Sequence, residues 1–192
     1  SGIVAIKQTS MTVPFEMKLF LDDRNAYYDA SYFDYFLGDL EEIYGLTIIK
    51  ATKDNIATYN FSYLSQFDFF MLPNPQNGNL TLDEQQAIIK YINETRGAAL
   101  ILGDTNYSSR LNIHTLNNIT KPFGVEFLWG QVKDPTDYDY RTYYPLAHVW
   151  TNTTIAQQLS NGGTYKVKMN GGTTSLNISN PTLNGTWVNI YK

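Results

Sequence analysis

Short apolar runs alternate with helical patterns over the first two thirds of the chain, and this alternation limits the possible folds more than any other feature. Each run is apolar nearly throughout, which is typical of strands buried on both faces, and helices between such strands indicate parallel pairing. We therefore expect an α/β fold with an open, mostly parallel, doubly wound sheet and helices on both faces. The five predicted strands are Met17–Leu21, Leu46–Ile49, Phe67–Leu72, Ala98–Leu102 and Val125–Trp129.

Four segments between these strands read as helices. Apolar residues recur at helical spacing over 33–44, and Gly45 is placed to end that helix. A capping box, Thr81-Leu-Asp-Glu84, begins the best-marked helix, which Gly97 follows. Shorter helices are expected over 55–66 and 109–120.

The pattern changes after Gly130, where strands become short and polar residues frequent. An Asn-Gly-Gly turn between Tyr165–Met169 and Ser175–Ile178 predicts a hairpin. We expect one domain over 1–192, with an N-terminal arm (1–16), an α/β core (17–130) and a β-rich extension (131–192), which could be part of a larger chain.

Composition excludes several classes of site. The chain has no cysteine, so it can hold neither disulfides nor thiolate metal sites. The net charge is −4 and no basic run occurs, which argues against nucleic acid as a partner. The apolar runs are too short for a membrane span, and we expect no cofactor and no metal site.

Eight Asn-X-Ser/Thr sequons occur where the residue counts would give roughly three by chance. They predict glycosylation and an extracellular or cell-surface location, with a protein or glycan as partner. Low charge, the absence of cysteine and the many sequons also suit an archaeal cell envelope. An Asn- and Thr-rich chain that forms sequons by accident is the alternative. The eight asparagines are Asn60, Asn79, Asn93, Asn106, Asn118, Asn152, Asn177 and Asn184.

Polar residues follow the first predicted strand, at the sheet edge where parallel α/β folds bind ligands. Asp22 and Asp23 could hold Mg²⁺ there. The alternative is that Asp22 or Asp23 caps the following helix, with Arg24 as ion-pair partner.

The runs FFMLPNP (69–75) and TLDEQQAIIKYINETRGAALILGD (81–104) resemble the class I glutamine amidotransferase-like superfamily. The resemblance covers about 17–130 and extends to archaeal and bacterial members of unknown function and to the related domain of intraflagellar-transport proteins. It implies a flavodoxin-like, amidotransferase-like fold. Catalytic members carry a cysteine just after the fourth strand, where this chain has Asp104 and Thr105, and a histidine two residues before an acid, whereas Trp150 follows His148 at that spacing.

These departures favour a non-catalytic structural or binding domain. The alternative is an enzyme: a metal-assisted one using Asp22 and Asp104, or a hydrolase using Thr105 with His148 as its base.

A Tyr-rich loop over 134–144 is a second candidate for binding, because tyrosine supplies rigid amphipathic contact area. The alternative is that the tyrosine rings of this loop pack back on the sheet. The loop's tyrosines are Tyr138, Tyr140, Tyr143 and Tyr144.

Overall fold

The structure is a computed structural model that describes residues 16–24, 26, 29–76, 80–103, 112–130, 133–142, 146–148, 166–168 and 176–178. A 3-10 turn, Ala30–Phe33, precedes the first α-helix. The helices are α1 (Asp34–Glu42), α2 (Phe61–Leu64), α3 (Leu82–Glu94) and α4 (Ile113–Thr120). The strands are β1 (Lys18–Asp22), β2 (Thr47–Ala51), β3 (Phe69–Pro73), β4 (Ala98–Leu102), β5 (Val125–Phe127), β6 (Leu146–His148), β7 (Lys166–Lys168) and β8 (Leu176–Ile178).

Four of the predicted strands form one all-parallel sheet in the order β2-β1-β3-β4. The chain leaves β1 toward β2 on one side, then returns across β1 to β3 and β4 on the other. The strand order therefore reverses between β1 and β3, which is the topological switch point of a doubly wound sheet. The expected α/β fold with a parallel sheet is confirmed.

The period-two alternation of the central strands divides the core between the two faces of the sheet. Phe20, Phe70 and Leu72 face α2, α3 and α4, where they meet residues such as Ile88 and Leu116. The opposite face is packed by the 3-10 turn and by α1. Its core residues are Leu19, Leu21, Ala30, Leu37, Leu40, Leu46 and Met71.

The helix ends follow local side-chain chemistry. Thr81 and Glu84 form the predicted capping box at the start of α3, each side chain bonding the other residue's backbone N–H. Asn112 caps α4 and Asn60 caps α2. The helix expected over 55–66 is only four residues long, since it begins after the Asn60 cap.

The prediction of a fifth parallel strand is wrong. β5 pairs antiparallel with β8 in a separate two-stranded sheet. Val125 and Phe127 are buried while Glu126 between them is half-exposed and ion-paired to Lys121 at 2.7 Å. Such alternation is typical of a strand with one wet face, unlike the uniformly apolar strands of a buried parallel sheet.

The predicted hairpin is also wrong in its pairing. β7 pairs antiparallel with β6, and β8 pairs with β5 rather than with β7. Residues 1–15 of the predicted N-terminal arm (1–16) lie outside the described residues, as do the parts of the predicted β-rich extension other than 133–142, β6, β7 and β8.

Candidate functional site

Asp22 lies at the carboxyl end of β1, beside the switch point, where an enzyme of this fold would place a catalytic or metal-binding group. Its side chain is almost completely buried. Next to it is a depression lined by Asp22, Ala26, Leu72, Pro73, Pro75 and Leu80. Its enclosed volume is about 0 Å³, against the roughly 300 Å³ at which small-molecule pockets begin, and its lining is mostly apolar.

The guanidinium of Arg24 occupies the space around the Asp22 carboxylate. Nε donates to Oδ1 of Asp22 at 2.9 Å and Nη2 donates to Oδ2 at 2.8 Å, a bidentate pair. Nη1 donates at 2.7 Å to Oε1 of Glu84 and at 2.7 Å to the carbonyl of Ala57. Arg24 thus joins two carboxylates that lie 60 or more positions apart in the chain, in one buried network.

Tyr59 completes this network. Its hydroxyl donates to Oδ2 of Asp22 at 2.9 Å, and the Arg24 guanidinium carbon lies 4.5 Å from the centre of its ring. Both oxygens of Asp22 therefore already accept hydrogen bonds. In the described part of the chain, no buried side-chain nitrogen or oxygen lacks a hydrogen-bond partner. We call Asp22, Arg24, Tyr59 and Glu84 the Arg24 network.

Glu84 takes part both in the Arg24 network and in the capping box of α3. One oxygen accepts from Arg24, while the other accepts the backbone N–H of Thr81 at 2.9 Å as part of the capping box. The N-terminus of α3 is also where the helix dipole favours a negative charge. The network therefore fixes the start of α3 against the end of β1.

The charge states follow from these contacts. Burial alone would raise the pKa of Glu84, but hydrogen bonds from Thr81 and Arg24 outweigh burial and hold this pKa below its usual value. Burial would lower the pKa of Arg24, but the hydrogen bonds that it donates to Asp22 and Glu84 and the charge of Asp22 raise this pKa above the usual range. Burial and the charge of Asp22 raise the pKa of Tyr59 well above 10. Tyr59 stays protonated and Glu84 stays charged at neutral pH.

The loops that follow β1 and β3 meet across the switch point. Ala26 and Pro75 form an isolated antiparallel bridge. Asn74 before that bridge is buried and has a φ of 31°, a backbone conformation that asparagine tolerates better than most residues. This bridge lies where a ligand would enter between the two strand ends.

None of the other residues predicted for catalysis has a described side chain. Asp104 and Thr105 lie outside the described residues, as does Trp150. His148 ends β6, of which the structure describes the backbone alone. Oδ1 of Asp23 accepts the N–H of Ala30 at the start of the 3-10 turn, whose N-cap residue is Asp29. Over the described ranges, no three potential metal-binding side chains cluster.

Three sequon asparagines can be placed with their side chains. Asn60, Asn93 and Asn118 are exposed. Asn60 accepts from the N–H of Tyr63 as the cap of α2, and Asn118 donates to Gln85 at 3.1 Å. Asn177 lies within β8, and the other four sequon asparagines, Asn79, Asn106, Asn152 and Asn184, lie outside the described residues.

Structural roles account for part of the Asn content. Asn117 accepts the N–H of Phe127 at 2.7 Å and donates to its carbonyl at 3.0 Å, which ties β5 to α4. Asn112 caps α4. Asparagine thus caps helices and replaces strand partners in this fold, so part of the Asn content has a structural explanation.

The Tyr-rich loop exposes the two tyrosines that can be described. Tyr140 is 77% exposed and Tyr138 is 43% exposed, and Arg141 lies 5.1 Å from the Tyr140 ring centre. Asp134 organises the loop by accepting from the N–H groups of Thr136 and Asp137. Tyr143 and Tyr144 lie outside the described residues.

Comparison with known proteins identifies a fold and no family. No protein-family profile and no curated protein matches the chain. A solved structure, the mmIFT52 N-terminal domain, is similar with a TM-score of 0.65 and 14% sequence identity, over 85% of this chain and 69% of that one. At this identity the likeness shows the fold alone.

The comparison corrects the predicted location. The structural neighbour is an intraflagellar-transport protein, an intracellular ciliary component, and this contradicts the extracellular or cell-surface prediction. The glycoprotein and archaeal interpretations depended on the same sequons and have no support of their own. No helix among the described residues is long and apolar enough to cross a bilayer.

Proposed function

We propose that this chain is a non-catalytic, amidotransferase-like α/β domain that works by binding a protein partner. The observation that carries the proposal is the Arg24 network. The carboxylate best placed for chemistry, Asp22, is buried with both oxygens bonded to Arg24 and Tyr59. A metal or substrate would have to displace a buried bidentate ion pair, and removing one partner of such a pair costs about 3–5 kcal/mol.

The partner class is supported by the structural neighbour. IFT52 is a component of a protein complex, which favours a protein over a small molecule as the partner. Catalytic members of the amidotransferase-like superfamily use a cysteine after the fourth strand, and this chain has none, so the proposal does not include their activity.

The test separates a structural network from a catalytic one. The triple variant Asp22→Asn, Arg24→Met, Glu84→Gln removes all three charges and keeps the side-chain sizes similar. Native protein and the folded variant are cross-linked in cells of the source organism, and the cross-linked residues are identified by mass spectrometry. The proposal expects the same protein partner and the same cross-linked residues for both. A folded variant that loses the partner, or a native protein that cross-links to none, contradicts it.

A further inference from the structure

Helix α1 and the 3-10 turn before it present large apolar side chains to solvent. Leu37 and Leu40 point inward and pack in the core. On the outside, Tyr35 is 94% exposed and Ile43 is 66% exposed, with Phe36 and Tyr32 also exposed. A surface helix normally has charged or polar residues opposite its buried stripe. Contiguous apolar groups in that position mark interaction sites.

The exposed side chains share one face because their spacing is helical. Tyr35, Asp39 and Glu42 lie at i, i+4 and i+7, and Phe36 and Ile43 lie seven residues apart on the adjacent row. The face is therefore a ridge about two turns long, and Tyr32 extends it at the N-terminal end. We call these six residues the α1 surface: Tyr32, Tyr35, Phe36, Asp39, Glu42 and Ile43.

The charge of this region is uniformly negative. Residues 25–49 contain five acids and no Lys, Arg or His. Asp34, Asp39, Glu41 and Glu42 are all exposed on α1. In the portion of the chain that can be described, ion pairs join other residues and none of these four acids.

Charge and apolarity together select one kind of occupant. Acidic surfaces repel nucleic acid and anionic lipid, and a second copy packed through this face would bring like charges together. A cationic peptide is attracted by the acids, and its Lys or Arg side chains can lie over tyrosine and phenylalanine rings. Its apolar side chains can cover Phe36 and Ile43. A helix that packs along the ridge would meet it with side chains at i, i+3, i+4 and i+7.

We infer that the α1 surface binds a basic, amphipathic helical segment of a protein partner, an inference that rests on the proposed function. The apolar side chains supply the binding energy by leaving water, and the acids supply orientation and rate of association. Affinity for such a segment should therefore fall steeply as salt is added.

A synthetic peptide with the inferred chemistry tests the α1 surface directly. The probe is a helical peptide with leucines at i, i+3, i+4 and i+7 and lysines or arginines elsewhere. It is titrated into the ¹⁵N-labelled chain at low and high salt, and backbone amide shifts are followed by NMR. A scrambled peptide of the same composition is the control. We expect saturable shifts over 32–44 with the amphipathic peptide, weakened by salt. Saturable shifts that fall elsewhere, or equal binding of the scrambled peptide, would overturn the inference.

Variants assign the binding to particular side chains. Two double variants should each lower the affinity for the peptide by about tenfold or more. One combines Asp39→Lys with Glu42→Lys, and the other combines Tyr35→Ala with Ile43→Ala. Asp54→Lys, an exposed charge reversal outside α1, should leave the affinity within about twofold of the native value. All of these positions are at the surface, and thermal unfolding verifies that each variant is folded. Unchanged affinity in both double variants would overturn the inference.

Two further outcomes separate this inference from the proposed function. Cross-links to a native partner that map away from 32–44 would refute the α1 surface and leave protein binding intact. Sedimentation of the free chain as a dimer that Tyr35→Ala with Ile43→Ala dissociates would show that a second copy occupies the surface, which also refutes the basic segment. Failure of the proposed function itself would instead appear as a native protein with no cross-linked partner.

Discussion

Arg24→Met is the substitution that most strongly tests the Arg24 network. It keeps the length and apolar stem of the side chain and removes the guanidinium that bonds Asp22, Glu84 and the carbonyl of Ala57. The two carboxylates are then left buried without a counter-ion. Removing one partner of a buried ion pair costs about 3–5 kcal/mol, and we expect about 4 kcal/mol here. For a chain of 192 residues that corresponds to a fall in Tm of about 8–16 °C.

The pH dependence gives a second signature with a definite sign. In the native chain the pKa of Glu84 is below its usual value, so its stabilisation is present above a pH of about 4.3 and is lost as the pH falls through the folded-state pKa. In Arg24→Met the guanidinium no longer offsets burial, while the hydrogen bonds from Thr81 remain, so the folded-state pKa of Glu84 moves upward. The variant should then lose less stability than the native chain as the pH falls through this range.

Urea unfolding followed by circular dichroism at several pH values measures both effects. Arg96→Met, which removes an exposed guanidinium, is the matched control and should change stability by less than about 0.5 kcal/mol. The triple variant should recover part of the stability lost in Arg24→Met, because no buried charge remains. It adds Asp22→Asn and Glu84→Gln to Arg24→Met. A loss below about 1 kcal/mol for Arg24→Met, with the native pH slope retained, would refute the network as a buried, charged structural element.

Three other predictions concern the α3 cap, two glycines and the network tyrosine. Thr81→Ala removes the hydroxyl that caps α3 and should lower the free energy of unfolding by about 1 kcal/mol, whereas Thr81→Ser should not. Gly97→Ala should destabilise the chain, because a methyl group there would overlap the buried Tyr91 ring. Gly38→Ala inside α1 meets open space and should stabilise the chain by about 0.5–1 kcal/mol. Thermal unfolding of the two variants measures both effects. The raised pKa of Tyr59 means that its stabilisation is lost as the pH rises above about 10, and Tyr59→Phe should reduce this loss in urea titrations at alkaline pH. Part of the loss remains in the variant, because burial also raises the pKa of Tyr91.

The sequence predicted the parallel sheet because its strands are apolar nearly throughout, a pattern that requires cover on both faces. It also predicted the α3 cap, whose chemistry lies within four consecutive residues, Thr81–Glu84. It failed at Val125–Phe127, where the run was taken as another buried strand. The charged residue at Glu126 was the available signal, since it makes that strand alternate as an antiparallel strand with one wet face does.

The sequence predicted where the candidate site lies, but not all the residues that form it. Asp22 at the end of β1 and its pairing with Arg24 are local and could be anticipated. Glu84 was visible only as a capping residue, because its bond to Arg24 joins positions 60 apart and leaves no local pattern. The same holds for Tyr59, which reaches Asp22 across 37 positions. The α1 surface was missed because apolar residues over 33–44 lie on more than one side of the helix. Their spacing predicts the helix but does not show which side packs inward.

Paramagnetic relaxation by Mn²⁺ at the end of β1 tests the central claim most directly. Mn²⁺ prefers the same carboxylate oxygens as Mg²⁺ and broadens the NMR signals of amides near a bound ion. If the Arg24 network is structural, titration should produce no saturable broadening at residues 22–24, and Asp22→Asn should give the same spectrum changes as the native chain. Saturable broadening at 22–24 that Asp22→Asn abolishes would show that Asp22 binds metal, and would contradict the account.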